Sequence, residues 1–318
     1  MALVARLSRA KTASTRSTTM TRVAFIGLGN MGSGMAANQA KAGREVVAFD
    51  LSAEAMNKAK EQGMKPASSA GEACKDADIV ITMLPAGQHV RDVYLESILP
   101  NAPKDALLID CSTIDVDSAR TVSRDAAMQG FRSADAPVSG GTAAAAGGTL
   151  TFMVGCREQD FPDIEEALKP MAKAIIRAGD SGTGQAAKIC NNMLLGISMI
   201  ATSEAFALAD SLGLDAQKFF DISSKASGQC WSMTSYCPWP GPVPAAPSNR
   251  DYEGGFAAAM MLKDLKLAQD AADATGAPTP LGGAAEALYG ELVRGGYGGK
   301  DFSIILQMLR GTLPLNRE

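Results

Sequence analysis

Histidine is nearly absent from this sequence of 318 residues, and cysteine and aromatic side chains are sparse. The one histidine is His89, and the six cysteines are scattered singly without a CxxC pair. This pattern argues against a structural zinc site and against a disulfide framework, and it indicates a reducing compartment. Aromatic residues make up only 5% of the chain, so an aromatic-rich β-sandwich is disfavoured.

The sequence also lacks an excess of positive charge and a long hydrophobic run. Its formal net charge is −4, which disfavours a nucleic-acid-binding protein that works through a basic face. The richest apolar stretch, 193–200, is far shorter than the ~20 residues needed to cross a bilayer, and Glu204 follows it closely. With 46% hydrophobic and 20% charged residues, the composition is that of a folded protein, and the length predicts roughly two domains.

Residues 1–19 differ in composition from the rest of the chain. They contain basic residues, many serines and threonines, and no acidic residue, which is typical of a mitochondrial transit peptide. The alternative is an over-extended gene start, with translation beginning at Met20, directly before the first predicted strand. We favour the second interpretation, which places the protein in the cytoplasm, whereas the first places it in the mitochondrial matrix. In both cases residues 1–19 are predicted to be disordered.

From residue 20 to 183 the sequence alternates between short β-branched runs and segments with helical spacing. Strands are predicted at 23–26, 45–49, 79–83, 107–109, 131–134, 150–154 and 174–176. Helices are predicted at 31–42, 52–61, 89–94, 117–129 and 159–168. This alternation predicts an α/β domain over 20–183 with a Rossmann-type, doubly wound and mostly parallel sheet.

After Gly184 the strand pattern ends and helical spacing continues. Residues 185–212 contain no proline, and their apolar positions predict one helix about 40 Å long. Further helices are predicted at 215–223, 257–275, 281–294 and 302–309, and the proline-rich stretch 238–249 is predicted to be a loop. We therefore expect an all-helical C-terminal domain over 184–318.

A glycine-rich motif follows the first predicted strand and opens the first predicted helix. Its residues are Gly27, Leu28, Gly29, Asn30, Met31 and Gly32. Asp50 ends the second predicted strand, at the distance expected for a dinucleotide-binding loop. We expect Gly27 to allow the tight turn, Gly29 to admit the pyrophosphate and Gly32 to let helix and strand pack closely. Asp50 would bind the ribose hydroxyls and repel a 2′-phosphate, so NAD is the predicted cofactor.

Two further segments combine small and polar residues. Ser139, Gly140 and Gly141 follow a predicted strand, and successive N–H groups without bulky side chains suit a carboxylate. Lys188 and Asn192 lie four residues apart, on one face of the long predicted helix. A lysine close to a helix N-terminus, beside a cationic cofactor, is expected to have a lowered pKa and to serve as a general acid/base. Taken singly, these segments could equally be an ordinary loop and a surface lysine.

The remaining residues of interest are scattered over both predicted domains. Lys263 and Asp264 are adjacent on one predicted helix, so their side chains diverge by about 100°, and of Lys263 and Lys266 one could reach a cleft while the other stays solvated. Several further residues follow strands or flank the proline-rich loop: Leu84, Pro85, His89, Thr113, Trp231 and Tyr236. A lone histidine is more often a surface residue than a catalyst, and the aromatic residues could simply form a local hydrophobic cluster.

These motifs, in this order, resemble those of the β-hydroxyacid dehydrogenase family, and the resemblance covers residues 21–310. It is carried by GLGNMG at 27–32, DAPVSGG at 135–141, GTGQAAKICNN at 182–192 and KDLKLA at 263–268. The stretch SGQCWSMTSY at 227–236 is similar to the hydroxyisobutyrate branch of that family. Relatives that act on phosphogluconate carry a histidine where this chain has Asn191, which argues against a phosphosugar substrate.

The resemblance implies a role for each matching residue. Lys188 would be the catalytic lysine. Substrate-binding positions would be Ser139, Gly140, Gly141, Asn192, Trp231, Tyr236 and Asp264. Cofactor contacts besides the glycine-rich loop and Asp50 would be Leu84, Pro85, His89, Thr113 and Lys263. No metal is implied. The helical domain would complete the substrate site and mediate assembly into a homodimer or homotetramer.

The implied activity is the NAD-dependent oxidation of 3-hydroxyisobutyrate in valine degradation. One alternative is the same chemistry on another small β-hydroxy acid, such as serine, glycerate or tartronate semialdehyde. A second alternative, from a different class, is a non-catalytic NAD-binding interaction module. Relatives of that kind lack the lysine that this chain has at position 188.

Overall fold

The computed structural model describes residues 20–314, so the predictions for residues 1–19 lie outside the described range. The N-terminal part of this range is built on one sheet of nine strands. They are β1 (Arg22–Ile26), β2 (Glu45–Phe49), β3 (Lys65–Pro66), β4 (Ile79–Thr82), β5 (Leu107–Asp110), β6 (Arg132–Asp135), β7 (Val138–Ser139), β8 (Leu150–Gly155) and β9 (Ala172–Gly179). Their spatial order is β3-β2-β1-β4-β5-β6-β8-β7, with β9 pairing with β8.

The carboxyl edge of the sheet brings together residues that are distant in sequence. Strands β1 to β6 pair in parallel, and the order reverses between β1 and β4, the switch point at which α/β proteins bind ligands. In this register Ile26 lies opposite Thr82, Thr82 opposite Asp110, and Asp110 opposite Asp135. Strands β4, β5 and β6 therefore end in polar side chains at one edge.

The far side of the sheet departs from the predicted parallel pattern. Strand β8 runs antiparallel to β6 and β7 and parallel to β9. Strands β3 and β7 were not predicted, because two residues are too short to show an alternating pattern. Strand β9 spans eight residues where only 174–176 were predicted.

Helices cover both faces of the sheet. They are α1 (Gly32–Lys41), α2 (Ala53–Glu61), α3 (Ala70–Cys74), α4 (Gly87–Val93), α5 (Leu99–Asn101), α6 (Val116–Met128), α7 (Gly141–Gly147) and α8 (Phe161–Leu168). Alternate residues of β1 are buried on opposite faces: Val23 and Phe25 join one core cluster, Ala24 and Ile26 the other. This two-sided burial explains why the strands are continuous apolar runs. The predicted Rossmann-type architecture is confirmed, although α3, α5 and α7 were missed because they are short.

The C-terminal region is helical, as predicted. It contains α9 (Thr183–Ser211), α10 (Ala216–Ser223), α11 (Trp231–Thr234), α12 (Ala258–Thr275), α13 (Pro280–Leu292) and α14 (Ile305–Leu309). Helix α9 packs against β8 and β9 at one end and against α12, α13 and α14 along its length, so it links the two parts of the chain. Its core includes Met199, Met261, Leu265 and Tyr289.

Helix α9 corrects one expectation from composition. Its 29 residues include an 18-residue window with a mean hydropathy of 1.4, which is long and apolar enough to cross a membrane by length and composition alone. The uninterrupted apolar run 193–200 is too short for a span, whereas the helix that contains it is not. In the structure 44% of that window is buried, and the helix packs against the sheet and three other helices. These contacts are those of a core helix.

Candidate active site

The three glycines of the loop between β1 and α1 have different steric surroundings. Gly27 has φ of 95°, and a Cβ added there would lie 2.2 Å from the carbonyl oxygen of Met83. A Cβ at Gly32 would lie 2.0 Å from the carbonyl oxygen of Gly27. Gly29 is exposed, and a Cβ there would meet no atom within 4 Å. Gly27 and Gly32 are thus required by the turn itself, whereas the space at Gly29 is open to a ligand, which suits the pyrophosphate of NAD.

Asp50 lies directly beside this loop, at the end of β2. Its Oδ2 accepts a hydrogen bond from Leu28 N at 2.6 Å and its Oδ1 one from Ser52 N at 2.7 Å. Each oxygen keeps further acceptor capacity for ribose hydroxyls. A pocket of about 260 Å³ opens next to it. That pocket is lined in part by Leu28, Gly29, Asn30, Ser33, Asp50 and Ser52.

The carboxyl ends of β4 and β5 carry a buried polar group that the sequence analysis missed. Asp110 Oδ1 accepts hydrogen bonds from the hydroxyls of Thr82 at 2.7 Å and Ser112 at 2.6 Å. The Ser112 hydroxyl in turn accepts from Leu84 N at 2.8 Å, which fixes the loop that follows β4. Burial raises the pKa of Asp110 above its ordinary value. The sequence signal was a carboxylate directly after an apolar strand.

Lys263, on α12, connects the helical region to this edge of the sheet. Its Nζ donates to the carbonyl oxygen of Thr113 at 2.8 Å and to that of Pro85 at 3.3 Å. Three residues predicted to contact the cofactor are therefore in direct contact with one another. Lys266, by contrast, is exposed. His89 is also exposed, in the first turn of α4.

Lys188 and Asn192 occupy the same buried face of α9. Lys188 is 6% exposed and Asn192 is 1% exposed. The Asn192 side chain donates from Nδ2 to Oδ2 of Asp264 at 2.5 Å, which links α9 to α12. Lys263 Nζ lies 4.0 Å from the other oxygen of Asp264. The structure thus gathers two lysines, one aspartate and one asparagine beside the loops that follow β4 and β5.

The electrostatics of this group favour proton transfer by Lys188. Burial lowers the pKa of the Lys188 amine below its ordinary value, the nearby Lys263 lowers it further, and Asp264 acts in the opposite direction. Burial also raises the pKa of Asp264, which the two lysines partly counteract. An amine with a lowered pKa is neutral in a larger fraction of molecules near neutral pH, so it can accept a proton.

The pKa of Lys188 is lowered, as predicted, and burial, which was not predicted, is the largest cause. Helix α9 begins at Thr183, so Lys188 lies beyond its first turn, where the helix dipole has little effect. The first turn is instead capped by Asp135, whose Oδ1 accepts from Gly182 N at 2.7 Å and whose Oδ2 accepts from Gln185 N at 2.9 Å. Burial raises the pKa of Asp135 to about 6.

Ser139, Gly140 and Gly141 form the junction between β7 and α7. Gly140 and Gly141 have φ of 136° and 72°, and Gly140 immediately precedes the first residue of α7. Helix α7 packs against α1: a Cβ at Gly34 would lie 2.9 Å from Ala145 C, and Asn38 Nδ2 donates to Ala145 O at 2.7 Å. A Cβ at Gly141 would meet no atom within 4 Å, whereas one at Gly140 would lie 2.6 Å from the Cβ of Ala144.

The two aromatic residues predicted to line the substrate site lie at the start of α11 and just after its end. The rings of Trp231 and Tyr236 stack with their centroids 4.9 Å apart. The Tyr236 hydroxyl donates to Oδ2 of Asp301 at 2.8 Å, so this hydroxyl is already engaged. Trp231 is 51% exposed. The pair can offer ring surface to a substrate.

Two family models together match most of the chain. The family described as the NAD binding domain of 6-phosphogluconate dehydrogenase matches residues 22–179. The family described as NAD-binding of NADP-dependent 3-hydroxyisobutyrate dehydrogenase matches residues 182–309. The two matches divide the chain where the structure passes from the sheet to the helical region.

Individual relatives match over nearly the whole chain. A protein of Dictyostelium discoideum named "Probable 3-hydroxyisobutyrate dehydrogenase, mitochondrial" is 47% identical over 90% of each chain. The NAD-dependent L-serine dehydrogenase of Pseudomonas aeruginosa is 45% identical over 92% of this chain and 99% of its own. The solved structure of Mycobacterium tuberculosis 3-hydroxyisobutyrate dehydrogenase with L-serine has a TM-score of 0.89 and 47% identity, and covers 92% of this chain and 100% of its own. This chain therefore belongs to the 3-hydroxyisobutyrate dehydrogenase family of NAD-dependent oxidoreductases.

Proposed function

We propose that this enzyme oxidises 3-hydroxyisobutyrate to methylmalonate semialdehyde with NAD, a step of valine degradation. The observation that carries the proposal is the buried Lys188 amine with its lowered pKa, gathered with Asn192, Lys263 and Asp264 beside the loops after β4 and β5. The names of relatives up to 47% identical support the choice of substrate.

The glycine-rich loop and Asp50 fit NAD. Gly29 leaves an open approach to the backbone, and the Asp50 carboxylate can accept hydrogen bonds from ribose hydroxyls. Leu84, Pro85, Thr113 and Lys263 meet at the carboxyl edge, where the nicotinamide end is expected in this fold. Bound NAD would supply the acceptor for a hydride from the substrate carbon that carries the hydroxyl.

The residues of this chain would handle the proton and hold the substrate. Lys188 Nζ, as a neutral amine, would accept the hydroxyl proton while the C–H bond is broken, and would return it in the reverse reaction. Asn192, held by Asp264, would orient the hydroxyl. The backbone N–H groups at Gly140 and Gly141, with the Ser139 hydroxyl, would bind the substrate carboxylate. Trp231 and Tyr236 would cover the apolar part of the substrate and limit access of water.

L-Serine is a second candidate substrate. A relative 45% identical to this chain is named for its oxidation, and the M. tuberculosis structure is described with L-serine. The two acids share the carboxylate and the β-hydroxyl but differ in an amino group against a methyl group. A pocket that excludes cations would favour the methyl group of 3-hydroxyisobutyrate over the ammonium group of serine. Lys263, 4.0 Å from Asp264, places a positive charge near this site.

The test is a comparison of kcat/KM for 3-hydroxyisobutyrate, L-serine and D-glycerate. The rate of each reaction is measured from the absorbance of the NADH that it produces. We expect the highest kcat/KM for 3-hydroxyisobutyrate. Equal or better use of L-serine would overturn this substrate assignment while leaving the dehydrogenase chemistry in place. No turnover of any of these acids would remove support for the proposed chemistry itself.

We also propose that the chain assembles as a homodimer or homotetramer through its second domain, residues 184–318. Leucines 194 and 208 on α9 lie two heptads apart on one face and are 63% and 61% exposed, and Leu281 on α13 is 66% exposed. Large exposed apolar side chains in one region are typical of a protein interface. The molar mass from light scattering tests this directly, because a monomer at micromolar concentration would contradict it.

The cellular compartment depends on residues 1–19, which lie outside the described residues. Translation from Met20 corresponds to a cytoplasmic enzyme, and a cleaved leader to the mitochondrial matrix. Mass spectrometry of the N-terminal peptide of the protein from its own cells distinguishes the two.

A further inference from the structure

The side chain of Gln185 is fully buried and holds one loop of the sheet edge from both sides. Its Oε1 accepts a hydrogen bond from Ile114 N at 3.1 Å, and its Nε2 donates to the carbonyl oxygen of Ser112 at 2.7 Å. Thr113, between these two residues, has its own carbonyl oxygen bound by Lys263 Nζ at 2.8 Å. Three consecutive residues are therefore fixed by two side chains from the helical region.

Because Gln185 lies on α9, it connects the Ser112–Ile114 loop to the helix that carries Lys188. Gln185 lies one turn before Lys188, and residues three apart share a side of a helix. The backbone N–H of Gln185 is itself bound by Asp135 at the end of β6. The start of α9 is thus fixed both to the end of β6 and to the loop after β5, and a shift of either would move the Lys188 amine relative to Thr113.

The amide group is required by the chemistry of these contacts. One end must accept from a backbone N–H and the other must donate to a backbone carbonyl oxygen, and a glutamine side chain does both. A glutamate would place a second acceptor against the Ser112 carbonyl oxygen. A methionine would fill a similar volume and leave both backbone groups without a partner, at a substantial cost in a buried site.

We propose that Gln185 is a positioning residue for hydride transfer: its amide sets the distance between the Lys188 amine and the Ser112–Ile114 loop. The proposal rests on the proposed function, because it assumes that Lys188 is the base and that this loop borders the nicotinamide. A misplacement of about 1 Å between reacting groups can lower a rate by about two orders of magnitude. Gln185 touches neither substrate nor cofactor in this account, so its effect is confined to geometry.

The test uses Gln185→Met and Gln185→Glu in the full-length enzyme. We expect kcat to fall about 10- to 100-fold in both variants. The Kd of NAD and the KM of the hydroxy acid should stay within about twofold of the parent, because no binding group is removed. The deuterium isotope effect on kcat, measured with substrate labelled at the oxidised carbon, should rise, because misplacement slows the hydride step itself.

Gln269→Met is the matched control. Gln269 is a partly buried glutamine of α12 that accepts a hydrogen bond from the Thr279 hydroxyl at 2.9 Å, within the helical region. Its variant should keep the parent kcat and isotope effect. Active-site titration corrects each kcat for the fraction of folded enzyme.

Three outcomes would overturn the proposal. In the first, kcat per folded site and the isotope effect are unchanged in both variants. In the second, the losses appear only in the KM values. In the third, neither variant folds, which would assign Gln185 a structural role instead. Absence of turnover in the parent enzyme would instead count against the proposed function, and the two failures are therefore distinguishable.

Discussion

The two ends of the proposed cofactor site are built in opposite ways. The adenosine end, around Gly29 and Asp50, is open, and much of its shape is set by the backbone of one βαβ unit. The hydride end, around Lys188, is buried and is made of side chains from α9, α12 and the loops after β4 and β5. One end depends on local sequence, and the other on how distant segments pack.

This difference has an energetic consequence. Contacts to exposed backbone groups can be lost without affecting the rest of the fold. A buried charged group differs, because removing it leaves its partners buried without a hydrogen bond or an opposite charge. Substitutions at the two ends should therefore have separate effects.

Lys188→Met should show the largest difference between the two ends, with a large effect on kcat and little effect on NAD binding. Removing the amine should lower kcat about 10²- to 10⁴-fold, the usual contribution of a general acid or base. The Kd of NAD, measured by fluorescence titration, should change by no more than a few fold, because the glycine-rich loop is untouched. Lys266→Met, on the exposed side of α12, serves as the control. Turnover at the parent rate in Lys188→Met would remove Lys188 from the mechanism and would favour a non-catalytic role for this site.

Asp50→Ala is the corresponding test at the adenosine end. Loss of the carboxylate should lower the ratio of kcat/KM for NAD to that for NADP by about 10- to 100-fold. This matches the worth of about 1.5–3 kcal/mol for a hydrogen bond to a charged group. Asp78→Ala is the matched control, since Asp78 also accepts from a backbone N–H, that of Arg22 at 2.8 Å, but before β4, at the other edge of the sheet. An unchanged cofactor ratio in Asp50→Ala would exclude the proposed contact with the ribose.

The contrast between a locally determined end and a packing-determined end also explains how much of the site could be predicted from the sequence. The glycine-rich loop was recognisable because the turn itself requires Gly27 and Gly32, and strands buried on both faces are conspicuous as apolar runs. The long helix and its lysine were likewise predicted, because helical spacing continues without interruption over 185–212.

The buried polar network could not be predicted in the same way. Asp110, Asp135 and Gln185 acquire their partners from segments 28 to 73 residues away along the chain. No local pattern marks such pairs. The burial that lowers the Lys188 pKa was not predicted for the same reason, since it depends on how α12 packs against α9.

Gly29→Ala tests whether the open space at the adenosine end is reserved for the cofactor. The added methyl group meets no protein atom within 4 Å, so the free energy of unfolding should change by less than about 1 kcal/mol. NAD should nevertheless bind about tenfold more weakly, because the methyl group would crowd the pyrophosphate. Gly32→Ala is the opposite case: its Cβ would lie 2.0 Å from Gly27 O, so thermal denaturation should show a loss of stability. Parent affinity for NAD in Gly29→Ala would place the pyrophosphate elsewhere.

The smallest expected effect lies at the hydride end and concerns the pH dependence of kcat. Oxidation requires the neutral Lys188 amine, so kcat should rise with pH through the lowered pKa of this group. Asp264 raises this pKa and Lys263 lowers it. Asp264→Asn should therefore move the rising limb to lower pH, and Lys263→Met should move it to higher pH.

The opposite signs make this pair of variants informative even if both lower the maximal rate. A merely structural defect would reduce the height of the pH profile without moving its limb in two directions. Steady-state kcat between pH 5 and pH 10, at saturating NAD and hydroxy acid, gives the position of the limb. Shifts of the same sign in both variants would show that Lys188 is not the group whose titration limits the rate, and the electrostatic account of the buried end would have to be replaced.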